Sequence, residues 1–182
     1  MIFPIVLYGD PVLKKKAVDI EQGDESVKKF VENMFETMYA AQGVGLASPQ
    51  VGESLRLFVI DTSPMHEEEE KGLKKAFINP TMLEEEGEEW PFEEGCLSIP
   101  GIRADVERKP KIRIKYFDEE WNEHEESFEG IEARVIQHEY DHIEGKLFTD
   151  YLTPFKKRLL KGKLANISKG KTDAEYRIRA PR

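Results

Sequence analysis

The stretch Ile131–Glu144 constrains this chain more than any other. Its apolar residues recur at helical spacing, Gly145 supplies a C-cap, and His138-Glu139-Tyr140-Asp141-His142 lies inside it. Residues four apart on a helix leave the axis in directions about 40° apart, so both imidazoles share a face and can share a metal. Glu139, next to the first imidazole, is placed to hydrogen-bond an attacking water and take its proton. Two surface histidines flanking a solvated glutamate would give the same five letters. The amphipathic context, with Ile136 and Ile143 to pack around the motif, favours the metal site.

A catalytic metal wants a third protein ligand and one open position. No histidine follows His142, and the only soft ligand in the chain is Cys96, in Glu94-Gly95-Cys96-Leu97-Ser98, flanked by the turn signals Gly95 and Pro100-Gly101. Two nitrogens and one thiolate read as zinc on softness and geometry, with water in the fourth place. A closed structural site would have to recruit His66 or His124, which sit in polar stretches and read as surface residues. A single cysteine excludes an internal disulfide and favours a reducing compartment.

The 182 residues read as one domain, 1–182, with 39% hydrophobic residues, enough for a core. The apolar run Met1–Gly9 is broken by Pro4 and has no basic residue before it, so neither a membrane span nor a leader is expected. A cytoplasmic location follows as the expectation. The net charge of −9 argues against broad or sequence-specific nucleic-acid binding. The charge is uneven, since residues 156–182 hold ten Lys or Arg and two acids, which leaves −17 on the rest. The acidic clusters Glu67–Glu70, Glu84–Glu86 and Glu88, Glu89, Glu93 and Glu94 read as solvated loop and turn charges, without calcium-loop spacing.

Val27, Phe30, Val31, Met34, Phe35 and Met38 predict an amphipathic helix over Asp24–Ala41. A Gly/Pro loop, Gly43–Gly52, leads to a strand at Leu55–Asp61, and a short strand at Ala76–Asn79 is stopped by Pro80. Ile112–Phe117 and Glu125–Phe128 predict a hairpin about Asp118–Asn122. A basic helix runs from Pro154 to about Ala165. The expected class is α+β, with antiparallel sheets packed around a central HExxH helix and with an N-terminal and a C-terminal helix.

Three motifs in order, Gly43-Val44-Gly45-Leu46-Ala47-Ser48-Pro49-Gln50, Glu94-Gly95-Cys96-Leu97-Ser98 and Gln137-His138-Glu139-Tyr140-Asp141-His142, together resemble the peptide deformylase family. The likeness extends from Gly9-Asp10-Pro11-Val12-Leu13 through Asp150. Ser48 stands where the family commonly has Ala, and residues 62–75 and the tail after Ala165 match poorly. The resemblance implies hydrolysis of the N-formyl group of the initiator methionine, releasing formate. Carried onto this chain, it makes Cys96, His138 and His142 the metal ligands and Glu139 the general base and acid. The Gln50 side chain and the Leu97 N–H become oxyanion donors, and Gly45 admits the substrate backbone. Val44, Phe92, Ile131 and Val135 match pocket-lining positions, with Arg134 among them expected to keep its stem inside and its head in solvent. Asp141 needs a partner if buried, and Arg103 or Arg108 could supply it. The family implies ferrous iron, one per chain, with Zn2+ or Ni2+ as substitutes, a bacterial cytoplasmic setting, and N-formylmethionyl nascent peptides as substrates. The basic C-terminal helix reads equally as a ribosome-docking element or as a solvated helix with a loose terminus. A zincin-like endopeptidase, a non-catalytic metal-stabilised binding domain and a hydrolase of another acylated amine are the competing readings.

Overall fold

The computed structural model describes residues 1–182. In chain order its elements are β1 (Ile5–Val6), α1 (Val27–Ala40), β2 (Gly45–Ala47), β3 (Leu57–Asp61), β4 (Lys74–Glu86), β5 (Trp90–Cys96) and β6 (Ile99–Arg108). Then follow β7 (Lys111–Phe117), β8 (Glu123–Glu129), α2 (Gly130–Ile143), α3 (Pro154–Ser168) and β9 (Ile178–Arg179). The class is α+β. Five antiparallel strands form one sheet in the order β2-β3-β4-β7-β8, and β5 and β6 form a separate antiparallel hairpin. No helix is long and apolar enough to cross a membrane.

The uninterrupted apolar run of β3 has a simple cause: both its faces are covered. Leu57 and Val59 pack with Val31, Met34 and Met38 of α1. Phe58 and Ile60, pointing the opposite way along the pleat, pack with Val135, Ile136 and Ile143 of α2. The sheet is therefore sandwiched between the two helices. Phe58 and Phe77, with ring centres 4.8 Å apart, and Phe77 and Tyr116, at 4.4 Å, fill the α2 side. A third core, of Val6, Leu7, Leu13, Ile99, Ile102, Val106, Leu147, Phe148, Leu164 and Ile167, joins β1, β6 and α3.

Several expectations need correction. Pro80 does not stop its strand, because β4 continues to Glu86 through a register shift between Ile78 and Thr81. A bulge spares the ladder the N–H that proline lacks. Asn79 takes the positive φ of 49° there, and its side chain exchanges two 2.8 Å hydrogen bonds with the Ile20 backbone. Glu84–Glu86 thus lie on an exposed strand end, with Glu84 and Glu86 paired to Arg113 and Lys111. The hairpin β5–β6 is absent from the sequence reading. The terminus is not loose: α3 runs on to Ser168, and the following segment returns so that β9 pairs with β1, in parallel.

Candidate metal centre and active site

Cys96 ends β5, and Leu97–Ser98 form the two-residue turn into β6. The turn carries Cys96 to α2, where His138 and His142 project from one face with ring centres 5.1 Å apart. Cys96 Sγ lies 3.4 Å from His142 Nε2, and the three donor atoms of Cys96, His138 and His142 are within 4.8 Å of one another. Tetrahedral coordination with ordinary M–S and M–N lengths requires an S···N separation of about 3.5 Å. The donor set and its spacing therefore fit a divalent transition metal.

One buried atom without a partner points the same way: Glu139 Oε2 makes no hydrogen bond, although the residue is buried. Burial, assisted by the neighbouring His138 charge, holds His142 well below its usual pKa, so the ring is the neutral form that a metal accepts. Burial likewise pushes the Glu139 carboxyl up to about 7 in the metal-free chain. A carboxyl poised there can take a proton and give it back near neutral pH.

Glu94, read from sequence as a solvated acid, is the hub behind the metal site and is 5% exposed. Its Oε1 accepts from Arg108 Nη2 at 3.0 Å and lies 2.8 Å from His138 Nδ1. Its Oε2 accepts from Arg108 Nε at 2.7 Å and Arg134 Nη1 at 2.8 Å. Burial raises its pKa, but the bonds from His138 and Arg108 outweigh burial and hold the carboxyl well below the usual range. An ionised carboxylate only accepts, so His138 carries a proton on Nδ1. Burial lowers its pKa, but the contacts with Cys96 and Glu94 outweigh burial and hold it well above the usual value, and a metal at Nε2 would take the place of the second proton.

Arg134 does not reach solvent. At 2% exposure its guanidinium is held by Glu94 and by the carbonyls of Val106 and Trp90, both at 2.6 Å. Of the two candidate partners of Asp141, the structure selects Arg108, whose Nη1 donates to it at 2.8 Å, and Tyr151 adds a 2.7 Å bond. Arg103 instead lies over Gly95 and pairs with the exposed Glu93.

The other predicted residues converge on the same place. Gln50 follows β2 in a 3₁₀ turn, Ser48–Val51. Its Oε1 accepts from the Ala47 N–H at 3.0 Å, which aims Nε2 at Ser98 Oγ (3.2 Å) and Cys96 Sγ (3.4 Å). The Leu97 N–H donates to no backbone carbonyl. Gly45 faces Glu139, and a Cβ there would stand 2.8 Å from Oε1. A cleft of about 890 Å³ opens over these groups. Val44, Phe92 and Val135 line it, whereas Ile131 packs with the α2 core and does not. Sequence reasoning missed Met65 and Tyr176 on its wall. His66 and His124 are half-buried rather than free at the surface, bonded to Glu132 and Asp118, and both stand apart from the metal-ligating cluster.

The polypeptide deformylase family model matches residues 2–158. A peptide deformylase of Cytophaga hutchinsonii is 64% identical over 100% of this chain and 98% of its own length. One from Salinibacter ruber is 44% identical over 97% and 93%. The crystal structure of peptide deformylase from Thermus thermophilus superposes with a TM-score of 0.84 at 40% identity, covering 93% of this chain and 99% of that one. With the motifs, the donor cluster and the sheet architecture, these likenesses show that the chain belongs to the polypeptide deformylase family.

Proposed function

We propose that this protein hydrolyses the N-formyl group of N-formylmethionyl nascent peptides, releasing formate and a free N-terminal amine. The observation that carries the reading is the buried, unpartnered Glu139 Oε2 beside the Cys96, His138 and His142 donors at the floor of a peptide-sized cleft. In this reading the chain is one catalytic domain with α2 as its central element, working in the cytoplasm.

Cys96, His138 and His142 are the residues to hold the metal, taken as ferrous iron from the family resemblance, with zinc or nickel able to stand in. When bound, the metal supplies Lewis-acid polarisation and a more acidic water. Glu139 takes one proton from the attacking water as its oxygen bonds to the formyl carbon. Negative charge then gathers on the formyl oxygen, where Gln50 Nε2 and the Leu97 N–H donate; each such donor contributes about 3 kcal/mol. The C–N bond breaks as Glu139 returns the proton to the departing nitrogen, so that the amine leaves one side and formic acid the other, the acid giving up the second water proton to solvent to become formate. Asp141 and Arg108 brace the helix behind, while Arg103 covers Gly95 at the cleft rim. Formate release from a formyl-methionyl peptide, measured with metal content after anaerobic purification, tests the reading. Metal-loaded protein that releases no formate, or that cuts unformylated peptides internally, sinks it.

Two variations on this assay probe the site more finely. The walls Val44, Phe92 and Val135, with Ile131 behind them, favour a long flexible apolar side chain. Formyl-Ser peptides should therefore lose on the order of 1–3 kcal/mol in kcat/KM against formyl-Met peptides, and equal values would refute the pocket. Gly45→Ala drives a methyl into the Glu139 carboxylate. It is expected to lower kcat by roughly tenfold to a hundredfold with metal content unchanged, because small misplacements of reacting groups cost that much. Full activity would show that the carboxylate has room to move.

The exposed bases Lys156, Lys157, Arg158, Lys161 and Lys163 on α3 form part of the proposal as a ribosome-docking face. Removing residues 155–182 is a poor test, since Leu164, Ile167 and β9 go with the charge. Replacing the five bases by Gln should abolish salt-sensitive co-sedimentation with ribosomes while leaving the fold intact. Unchanged co-sedimentation would remove the ribosome from this proposal.

A further inference from the structure

Residues 169–182 lie beyond the span matched by the family model, yet Lys171, Thr172, Asp173, Ala174 and Tyr176 line the active-site cleft. The half-buried Tyr176 hydroxyl donates to the Leu97 carbonyl at 2.6 Å. From the opposite side of the same turn, the Tyr8 N–H donates to the Ser98 carbonyl at 2.8 Å. Both carbonyls of the two-residue turn that follows Cys96 are thus fixed from outside the hairpin.

Beyond Tyr176 the tail is itself anchored. The Ile5 N–H donates to the Arg177 carbonyl at 2.9 Å, the Leu7 N–H to that of Arg179 at 3.1 Å, and Arg177 Nη1 to the Ile2 carbonyl at 3.0 Å. The Arg179 guanidinium lies over Gly52, the φ 90° residue that ends the turn carrying Gln50, where a Cβ would overlap it. One short segment therefore touches both pieces of backbone that present the oxyanion donors.

We infer that this C-terminal segment is a clamp on the oxyanion site, and that Tyr176 is a positioning residue acting through the Leu97 peptide. The inference rests on the reading of Leu97 N–H and Gln50 as oxyanion donors. A donor of this kind works only when it is already aimed at the place where charge develops. Leu97 sits at a hairpin tip with its own N–H unbonded to the backbone, so the Tyr176 bond to its carbonyl, together with the Tyr8 bond to that of Ser98, restrains the torsions that aim this N–H. Removing the hydroxyl leaves the ring packed, the metal ligands in place and the Tyr8 bond to Ser98 intact, and loosens the Leu97 peptide alone.

The test is Tyr176→Phe in the full-length chain, compared with wild type in two ways. Metal-loaded protein should show kcat lowered roughly fivefold to twentyfold, KM within about twofold, and unchanged metal content and melting temperature, as expected for a lost transition-state contact. In the zinc-loaded chain, the 15N order parameters of Leu97 and Ser98 should fall from about 0.85 toward about 0.6. Unchanged order parameters overturn the clamp whatever the kinetics do, and so does a loosened Leu97 peptide that leaves kcat intact. Were the wild type to release no formate, the deformylase reading would fail by itself, and rigid Leu97 and Ser98 amides in the variant would still decide against the clamp.

Discussion

Glu139→Gln is expected to lower kcat for formate release by roughly 10²–10⁴ with the metal content unchanged, because in the proposed mechanism one carboxylate serves both proton transfers. Glutamine keeps the size and a polar end but accepts no proton at neutral pH. Cys96, His138 and His142 are untouched, and the cleft walls and oxyanion donors remain, so KM should hardly move. His142→Ala separates the two causes of inactivity, since there the loss of metal itself should account for the lost rate. Formate release per bound metal, measured for the wild type and both variants, is the deciding quantity. A Glu139→Gln enzyme that keeps its metal and more than about a tenth of wild-type kcat would show that the proton travels another way.

The same substitution should act on stability in the opposite sense. Burial raises the Glu139 carboxyl to about 7 in the metal-free fold, against an ordinary value of 4.5. Between those two values the native chain holds more protons than the unfolded one, so stability falls as pH rises through that window. Above about pH 7 the ionised, half-partnered carboxylate costs on the order of 3 kcal/mol, at about 1.4 kcal/mol per unit. Metal-free Glu139→Gln should therefore melt higher than metal-free wild type at pH 8, and the gap should close below pH 4.5. Equal melting temperatures at pH 8 would mean that the site stays hydrated without its metal. A group that destabilises the fold it sits in, yet is set against Gly45 with one oxygen free, belongs to function rather than to packing.

What could be read from the sequence divides along a physical line. The α1 helix shows a 3.6-residue apolar period because it buries one face, whereas α2 is buried nearly all round and is legible from its motif, whose two imidazoles share a side by helical geometry alone. The strand Leu57–Asp61 is legible because both of its faces are apolar. The hairpin β5–β6 is not, because Trp90–Cys96 puts Phe92, Glu94 and Cys96 on one face and that face is polar where it meets the site. Alternation in that stretch, with two arginines elsewhere in need of an anion, was the signal that could have lifted Glu94 out of the acidic clusters. Likewise Tyr176 lies in a segment with neither period nor motif. Only pairing between the two ends of the chain, β1 with β9, brings it to Leu97, and such a contact leaves no local trace.

Glu94→Ala is expected to be the most damaging single change to the fold. It removes an anion that holds two buried guanidiniums and a histidine, and it offers nothing in return. Arg134 would keep the carbonyls of Val106 and Trp90, and Arg108 would keep Asp141, but the two like charges would face each other across an emptied space. Stripping one partner from a buried ionic cluster costs about 3–5 kcal/mol, a large share of the roughly 5–15 kcal/mol that holds a typical domain together. His138 would lose the acceptor that fixes its tautomer, and metal affinity should fall roughly tenfold to a hundredfold on top of the lost stability. The neighbouring Glu93 is the built-in control. It is 61% exposed and pairs with Arg103 on the surface, so Glu93→Ala should shift stability by less than about 1 kcal/mol. Denaturant unfolding of the metal-free forms measures the fold, and competition with a chelator measures the metal. If Glu94→Ala unfolded within about 1 kcal/mol of wild type and held its metal as tightly, the cluster would be a bystander, and the tautomer of His138 would have to be set by something else.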